Sequence, residues 1–281
     1  MIYRSSAFIF AAVAALVVCQ SGAGAADDPK YPDWKGQWAR FNTNQQGQAV
    51  KFDPTKPSGP GQQAPLTPEY QAIFEASLQD QEKGGQGNDP RFTCIPNGMP
   101  RIMSVIFPME IVPLPKITYV MFEYEIPRRI YTDGRDWPRN AEPSFMGYSI
   151  GKWRDDGRGR HDVLEVETRN LKGPRTYDTS GLPLHKDNQT VVKERIYLDR
   201  ADDDLLHDEI TTIDDALTRP WTVDKRYRRE RNVVWVENVC NEYNSHVAIH
   251  NEIYYLSAEG DLMPAKKDQP PPDLKYFKHK P

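Results

Sequence analysis

Cysteine is scarce in this chain. Three occur in 281 residues, at positions 19, 94 and 240, so no Cys-x-x-Cys pair exists. That spacing excludes zinc ribbons and thioredoxin-type redox pairs. Long apolar runs are scarce too: Ala7–Val18 is uninterrupted but too short to span a bilayer comfortably, and nothing after it is as long. The 6 histidines form no His-Glu-x-x-His and no close His-x-His, and no run of acids has calcium-loop spacing. A glycine-rich phosphate loop and a dinucleotide fingerprint are missing as well. The composition therefore carries no expectation of a metal or an organic cofactor. Nor is there an excess of one charge. The formal net charge is -4, and the one basic run, Lys225–Arg231, is broken by Glu230, so nothing points to nucleic acid.

The first 26 residues have the form of an export signal. Arg4 supplies the positive start, Ala7–Val18 the apolar stretch and Ala23-Gly24-Ala25 the small-residue cleavage site. The expectation is a cleaved leader, no integral membrane segment after it, and a periplasmic or secreted protein. Cys19 follows the bulky Val18, which fits lipid attachment poorly. In an oxidising compartment pairing is the default for the other two cysteines, so a Cys94–Cys240 disulfide is the simplest proposal. Two cysteines buried separately, or one reactive thiol, are the alternatives.

Residues 27–263 are expected to form a single β domain. Thr118, Val120, Phe122, Tyr124 and Ile126 alternate with Glu123 and Glu125, the period-2 pattern of a strand with one wet side. Strands near 128–132, 146–153 and 161–168 continue an antiparallel meander. Further strands are expected at 34–41, 190–198, 204–213, 221–231 and 232–240. One amphipathic helix is expected over 67–83, with Thr67 as N-cap, Pro68 in its first turn, and Tyr70, Ile73, Phe74 and Leu78 as an apolar stripe. It packs outside the sheet or plugs one end. The proline-punctuated segments 42–65 and 90–116 are expected as long wrapping loops, 244–256 as a closing helix or a strand, and 264–281 as a Pro/Lys-rich mobile tail. Eight or nine strands is the number at which a sheet closes into a small barrel, so the fold class is mainly β, an antiparallel up-and-down barrel.

Chemistry is sought on the inward faces. Glu194 shares its face with Val192, Ile196 and Leu198, and strand parity turns Arg128 and Ile130 inward as well. A buried carboxylate needs a partner, and Arg128 is the candidate. Whether the pair only ties strands together or also touches a ligand stays open. A register pairing Asp208 with Lys225 also sets Asp204 by Arg229 and Asp202 by Arg231, which is expected as a solvated ladder. Gly147-Tyr148-Ser149-Ile150-Gly151 matches the letters of a serine nucleophile elbow, but it lies in a strand pattern with no helix after it.

The string Cys94-x-Pro96-x-Gly98-Met99-Pro100-Arg101, Arg129-x-Tyr131-x-Asp133-Gly134-Arg135 and Gly147-x-Ser149-Ile150-Gly151-x-Trp153 resembles a widespread group of exported bacterial proteins of unassigned function. The resemblance runs over most of the chain but brings no activity with it. After Trp153 the chain departs from that pattern, with Asp155–Arg160 in place of a short Gly-Asp turn. Gly36-Gln37-Trp38 is similar to the Gly-x-Trp of lipocalins, which makes a lipocalin-like barrel the leading architecture.

The leading function is then a barrel binding a hydrophobic small molecule, aromatic or terpenoid, with no cofactor. Phe122, Tyr124, Tyr148 and Trp221 would line the pocket, Arg128 and Glu194 would orient a polar group, and His185 would sit at the mouth. The alternative is a cofactor-independent lyase or isomerase, with Glu194 or His185 as base and Arg128 stabilising negative charge. A second alternative is a structural envelope protein with a plain packed core. The disulfide is the part that sequence alone makes testable. Intact mass of the protein purified without reductant is expected to fall short of the dithiol mass by two hydrogens, with Cys94 and Cys240 in one linked peptide; two alkylatable thiols would sink the bridge.

Overall fold

The computed structural model describes residues 28–40, 64–104, 107–123, 125–232, 234–236, 246–249, 252–257 and 261–272. The expected leader, Tyr124 and Cys240 lie outside the described residues, and so does the Cys94–Cys240 pairing.

Nine strands close into a barrel in simple chain order. They are β1 (Gln37–Arg40), β2 (Met109–Pro113), β3 (Ile117–Phe122), β4 (Glu125–Tyr131), β5 (Tyr148–Asp155), β6 (His161–Arg169), β7 (Val191–Leu198), β8 (Leu205–Ile213) and β9 (Trp221–Glu230). β1 closes the ring by pairing antiparallel with both β2 and β9. The expectation of a wholly antiparallel barrel is corrected at one seam. β4 and β5 run parallel, in register only at Ile130↔Ser149 and Tyr131↔Ile150. The reason is arithmetic: directions cannot alternate all the way round a ring with an odd number of strands. The segment 132–147 makes the crossover that a parallel neighbour requires.

Other boundaries moved for local reasons. The strand expected to run from Thr118 through Ile126 breaks after Phe122, where β3 turns back on β4 with a register shift between Val120 and Phe122. Arg128 and Ile130 still face inward, while Ile126 lies exposed near the hairpin. Segment 90–116 is not only a wrapping loop, because it holds β2 and a buried 3-10 turn at Arg101–Ser104. The first strand is shorter than 34–41. β9 ends at Glu230, and residues 234–236 of the expected 232–240 strand are not in a strand. The segment 244–256 contains no helix among its described residues. His246–Ile249 (β10) and Glu252–Leu256 (β11) form a hairpin, joined by Leu262–Pro264 (β12) in a separate three-stranded sheet. The expected tail is held at its start: Ala265 and Gln269 are buried, and Lys266 bridges Asp80 and Glu252.

The helix α1 (Pro68–Glu82) forms where its signals stand. The Thr67 hydroxyl accepts from the Tyr70 N–H, Glu69 favours the first turn, and Gly84 follows the end at φ +85. It caps one end of the barrel. Phe74 joins Tyr177, Leu182, Leu184, Trp221 and Val223 in one buried cluster, and the Thr67 N–H donates to Ala216 O in the β8–β9 loop. A larger cluster fills the rest of the interior. Trp38, Phe122, Ile130, Leu164 and Ile196 from the strands meet Met99, Ile102 and Met103 from the turn before β2. Gly151 faces inward because there is no room for more; a Cβ there would lie 2.7 Å from Ile130 Cγ2.

Candidate functional site

Charged and hydroxyl side chains cross the barrel interior among the two apolar clusters. Arg128 enters from β4 with 1% of its surface exposed, and Glu194 from β7 with 2%. Arg128 Nη1 donates to Glu194 Oε1 at 2.7 Å, and Nη2 donates to Oε2. The same Nη2 donates to the Thr168 hydroxyl at 2.9 Å, Nε reaches the Ser149 hydroxyl at 3.3 Å, and the two hydroxyls are 2.8 Å apart. The pair expected from parity therefore forms, in fork-to-fork geometry with hydroxyls filling the remaining donor sites. Burial works against the Arg128 charge, yet Glu194 beside it holds the guanidinium protonated. Arg128 also spans the parallel seam, since Ser149 is on β5 and Thr168 on β6.

A second set was not expected inside. Asp208 and Lys225 are cross-strand partners, as the register argument requires, but both face inward and are almost fully buried. The solvated ladder is corrected in that half. Only its outer end is a surface network, in which Asp204 takes Arg229 and Arg231, while Asp202 takes Arg228 in place of Arg231. The signal was present in the alternation Leu206, Asp208, Ile210, Thr212. It was masked because Leu205 and Ile213 make the opposite face of β8 look equally apolar.

Neither Asp208 oxygen has a hydrogen-bond partner among the described residues. Burial, reinforced by the Glu194 charge, raises its pKa well above the carboxylate range and so favours its protonated form. Lys225 Nζ donates to the Ser104 hydroxyl and lies 4.7 Å from the centre of the Tyr177 ring. Burial and the Arg40 charge push its pKa down to about 7, against the pull of Asp178 and Asp208. Tyr177 is buried, its hydroxyl has no partner among the described residues, and its pKa is driven up by burial and Asp178. Tyr177 packs at 4.5 Å on Trp221, whose indole N–H is also unpartnered among the described residues, as is the hydroxyl of Thr212 opposite Trp221.

The other expected pocket residues do not converge. Phe122 is buried in the larger cluster and Trp221 under α1. Tyr148 stacks on Tyr131 at 5.0 Å and meets Arg135, away from the interior. His185 is only half-buried beside Tyr70 of α1, with Nδ1 3.0 Å from the Asp187 carboxylate. His185, Asp187 and Asp215 offer ligand atoms within 4.8 Å of one another, so they could hold a cation. Sequence reading missed this group because it joins two loops. Asp187 holds the Asp215 carboxyl above its usual range through a shared hydrogen bond.

Two depressions lie on the outside of the barrel, the first of them passing over the Glu194 position. A groove of about 490 Å³ crosses the outer face of β5 to β9, between Lys152, Glu165, Lys193, Arg195 and Glu209. A crevice of about 340 Å³ lies between residues 28–36 and β2, lined by Tyr31, Trp34, Ile111 and Pro113.

No family model, curated protein or solved structure matches this chain. Its function has to be read from the site itself.

Two measurements probe the interior. Glu194→Leu leaves Arg128 charged without its partner and is expected to lower unfolding stability by about 3–5 kcal/mol, while Arg128→Met with Glu194→Leu recovers most of the loss. Urea unfolding of the single and double variants decides it; equal losses would mean that the pair is not a closed unit. Lys225 loses its proton near 7 when folded but near about 10.4 when unfolded. Between those values the unfolded chain holds the extra proton, so stability rises with pH by up to about 1.4 kcal/mol per pH unit. That increment is expected in urea curves taken between about pH 7.5 and 9.5 and is lost in Lys225→Met; parallel curves for the two proteins would mean that the lysine titrates normally.

Proposed function

We propose that the protein is an exported barrel that binds a small, largely apolar organic molecule bearing one polar group, seated at the end capped by α1. The observation that carries this reading is a group of buried polar atoms at that end that have no hydrogen-bond partner among the described residues: the Asp208 carboxyl, the Tyr177 and Thr212 hydroxyls and the Trp221 indole N–H. Each such group costs about 1–3 kcal/mol if it stays unmet, so a core selected only for stability would not collect them. A ligand with a polar head answers them. The apolar surroundings of Phe74, Leu182, Trp221 and Val223 suit an aromatic or terpenoid skeleton. In this reading Trp221 lines the pocket, Phe122 and Tyr148 fall outside it, and Arg128 and Glu194 form its frame.

Export rests on Arg4, Ala7–Val18 and Ala23-Gly24-Ala25. The lipocalin-like comparison is supported by Trp38, buried near the closing seam with its indole N–H donating 3.0 Å to Trp34 O and the Arg229 guanidinium over its ring. A lyase or isomerase is the weaker reading, because both Glu194 oxygens are taken by Arg128 and His185 sits at the loop. A structural envelope role is favoured by one observation, the filling of the larger half by Trp38, Met99, Ile102 and Met103.

Native mass spectrometry of the protein from its own exported fraction, followed by denaturing extraction, tests the proposal. A stoichiometric organic molecule is expected. A bare mass, with a melting temperature unmoved by aromatic and terpenoid alcohols, would leave the packed structural barrel.

A further inference from the structure

We propose that Lys225 is the attachment point of the ligand, forming an imine with a lipophilic aldehyde. The inference rests on the binding reading and names its substrate class. Four features of the interior support it. The amine is almost fully buried at the inner edge of the apolar cluster under α1, against the Tyr177 ring. Its hydrogen bond is to the neutral Ser104 hydroxyl, and among the described residues no carboxylate is clamped onto it. Asp208 stands directly opposite on the neighbouring strand with both oxygens unengaged. The Tyr177 hydroxyl, also unengaged, is a further donor.

These are the parts that imine formation uses. A neutral amine is the nucleophile, and burial, which lowers the Lys225 pKa to about 7, makes that form available near neutrality. Its lone pair attacks the carbonyl carbon, the C–N bond forms, and the oxygen takes up protons and leaves as water. The nitrogen gives up its two hydrogens in the process, and no electrons are exchanged. The protonated Asp208 can give a proton to the departing oxygen and receive one back from nitrogen, so it ends unchanged. The ion pair of Arg128 and Glu194 cannot serve, since each satisfies the other.

Arg40 and Asp178 act on the same amine from β1 and from the loop under α1. Entry is under α1, whose segment meets the barrel rim through the Thr67 N–H to Ala216 O and Gln81 Nε2 to Ser180 O bonds among others.

The test is reductive trapping. The full-length mature protein is incubated with cinnamaldehyde or geranial and cyanoborohydride near pH 7, and the adduct is mapped by peptide mass. Surface lysines, near about 10.4, are protonated there and react slowly. One adduct on Lys225 is expected, absent in Lys225→Met and slowed roughly a hundredfold in Asp208→Asn. Adducts scattered over surface lysines with Lys225 unmodified would overturn the assignment, and mapping on the unaltered protein makes that outcome independent of whether a variant folds. Cinnamyl alcohol and geraniol, which cannot condense, separate the two levels. A melting shift with the alcohols but no Lys225 adduct sinks the imine and leaves the binding barrel. Neither a shift nor an adduct sinks both.

Discussion

The structure depends on one ion pair. A nine-stranded ring must contain a parallel seam, and here that seam, β4 against β5, is in register over only two residue pairs. Arg128 lies beside it and reaches across the interior to Ser149, Thr168 and Glu194, tying β4 to β5, β6 and β7 from within. Side-chain bonds therefore supply the cross-link that backbone pairing supplies thinly. The cost is two buried charges, tolerable because the fork geometry and two hydroxyls satisfy them together.

That frame sets the chemistry of its neighbours. With Arg128 committed to Glu194, the negative charge of Glu194 and burial together disfavour ionised Asp208. The neutral form of Lys225 is favoured for a parallel reason, since burial and Arg40 both oppose its charge. An acid and an amine that would both be charged in water occupy paired positions on β8 and β9, where burial favours the uncharged form of each. Perturbed groups of this kind gather at functional sites, and they sit where α1 and the Tyr177 loop close the barrel without being part of its sheet.

Much of this was legible in the chain. Thr67-Pro68-Glu69 placed the helix within a residue, because capping is a local interaction. The inward face of β7 followed from Val192, Glu194 and Ile196, and parity found Arg128 even though the strand assumed for it was broken at the hairpin. The register of Asp208 with Lys225 was legible too. Their side was not, because both faces of β8 carry apolar residues and only packing against Ser104, Tyr177 and the rest of the interior distinguishes them. β2 was hidden by its prolines, which exclude a helix but not a short strand.

By itself the sequence determined the local and pairwise features: strand alternation, the helix and its cap, and the Arg128 and Glu194 partnership. These depend on neighbours one, two or four residues away, or on a buried charge needing its opposite. Only the tertiary structure decided that the ring closes with an odd count and so holds a parallel seam. It alone turned Asp208 and Lys225 inward and kept Tyr148 and His185 out of the interior. Closure and burial depend on every strand at once, and no stretch of chain carries that information alone.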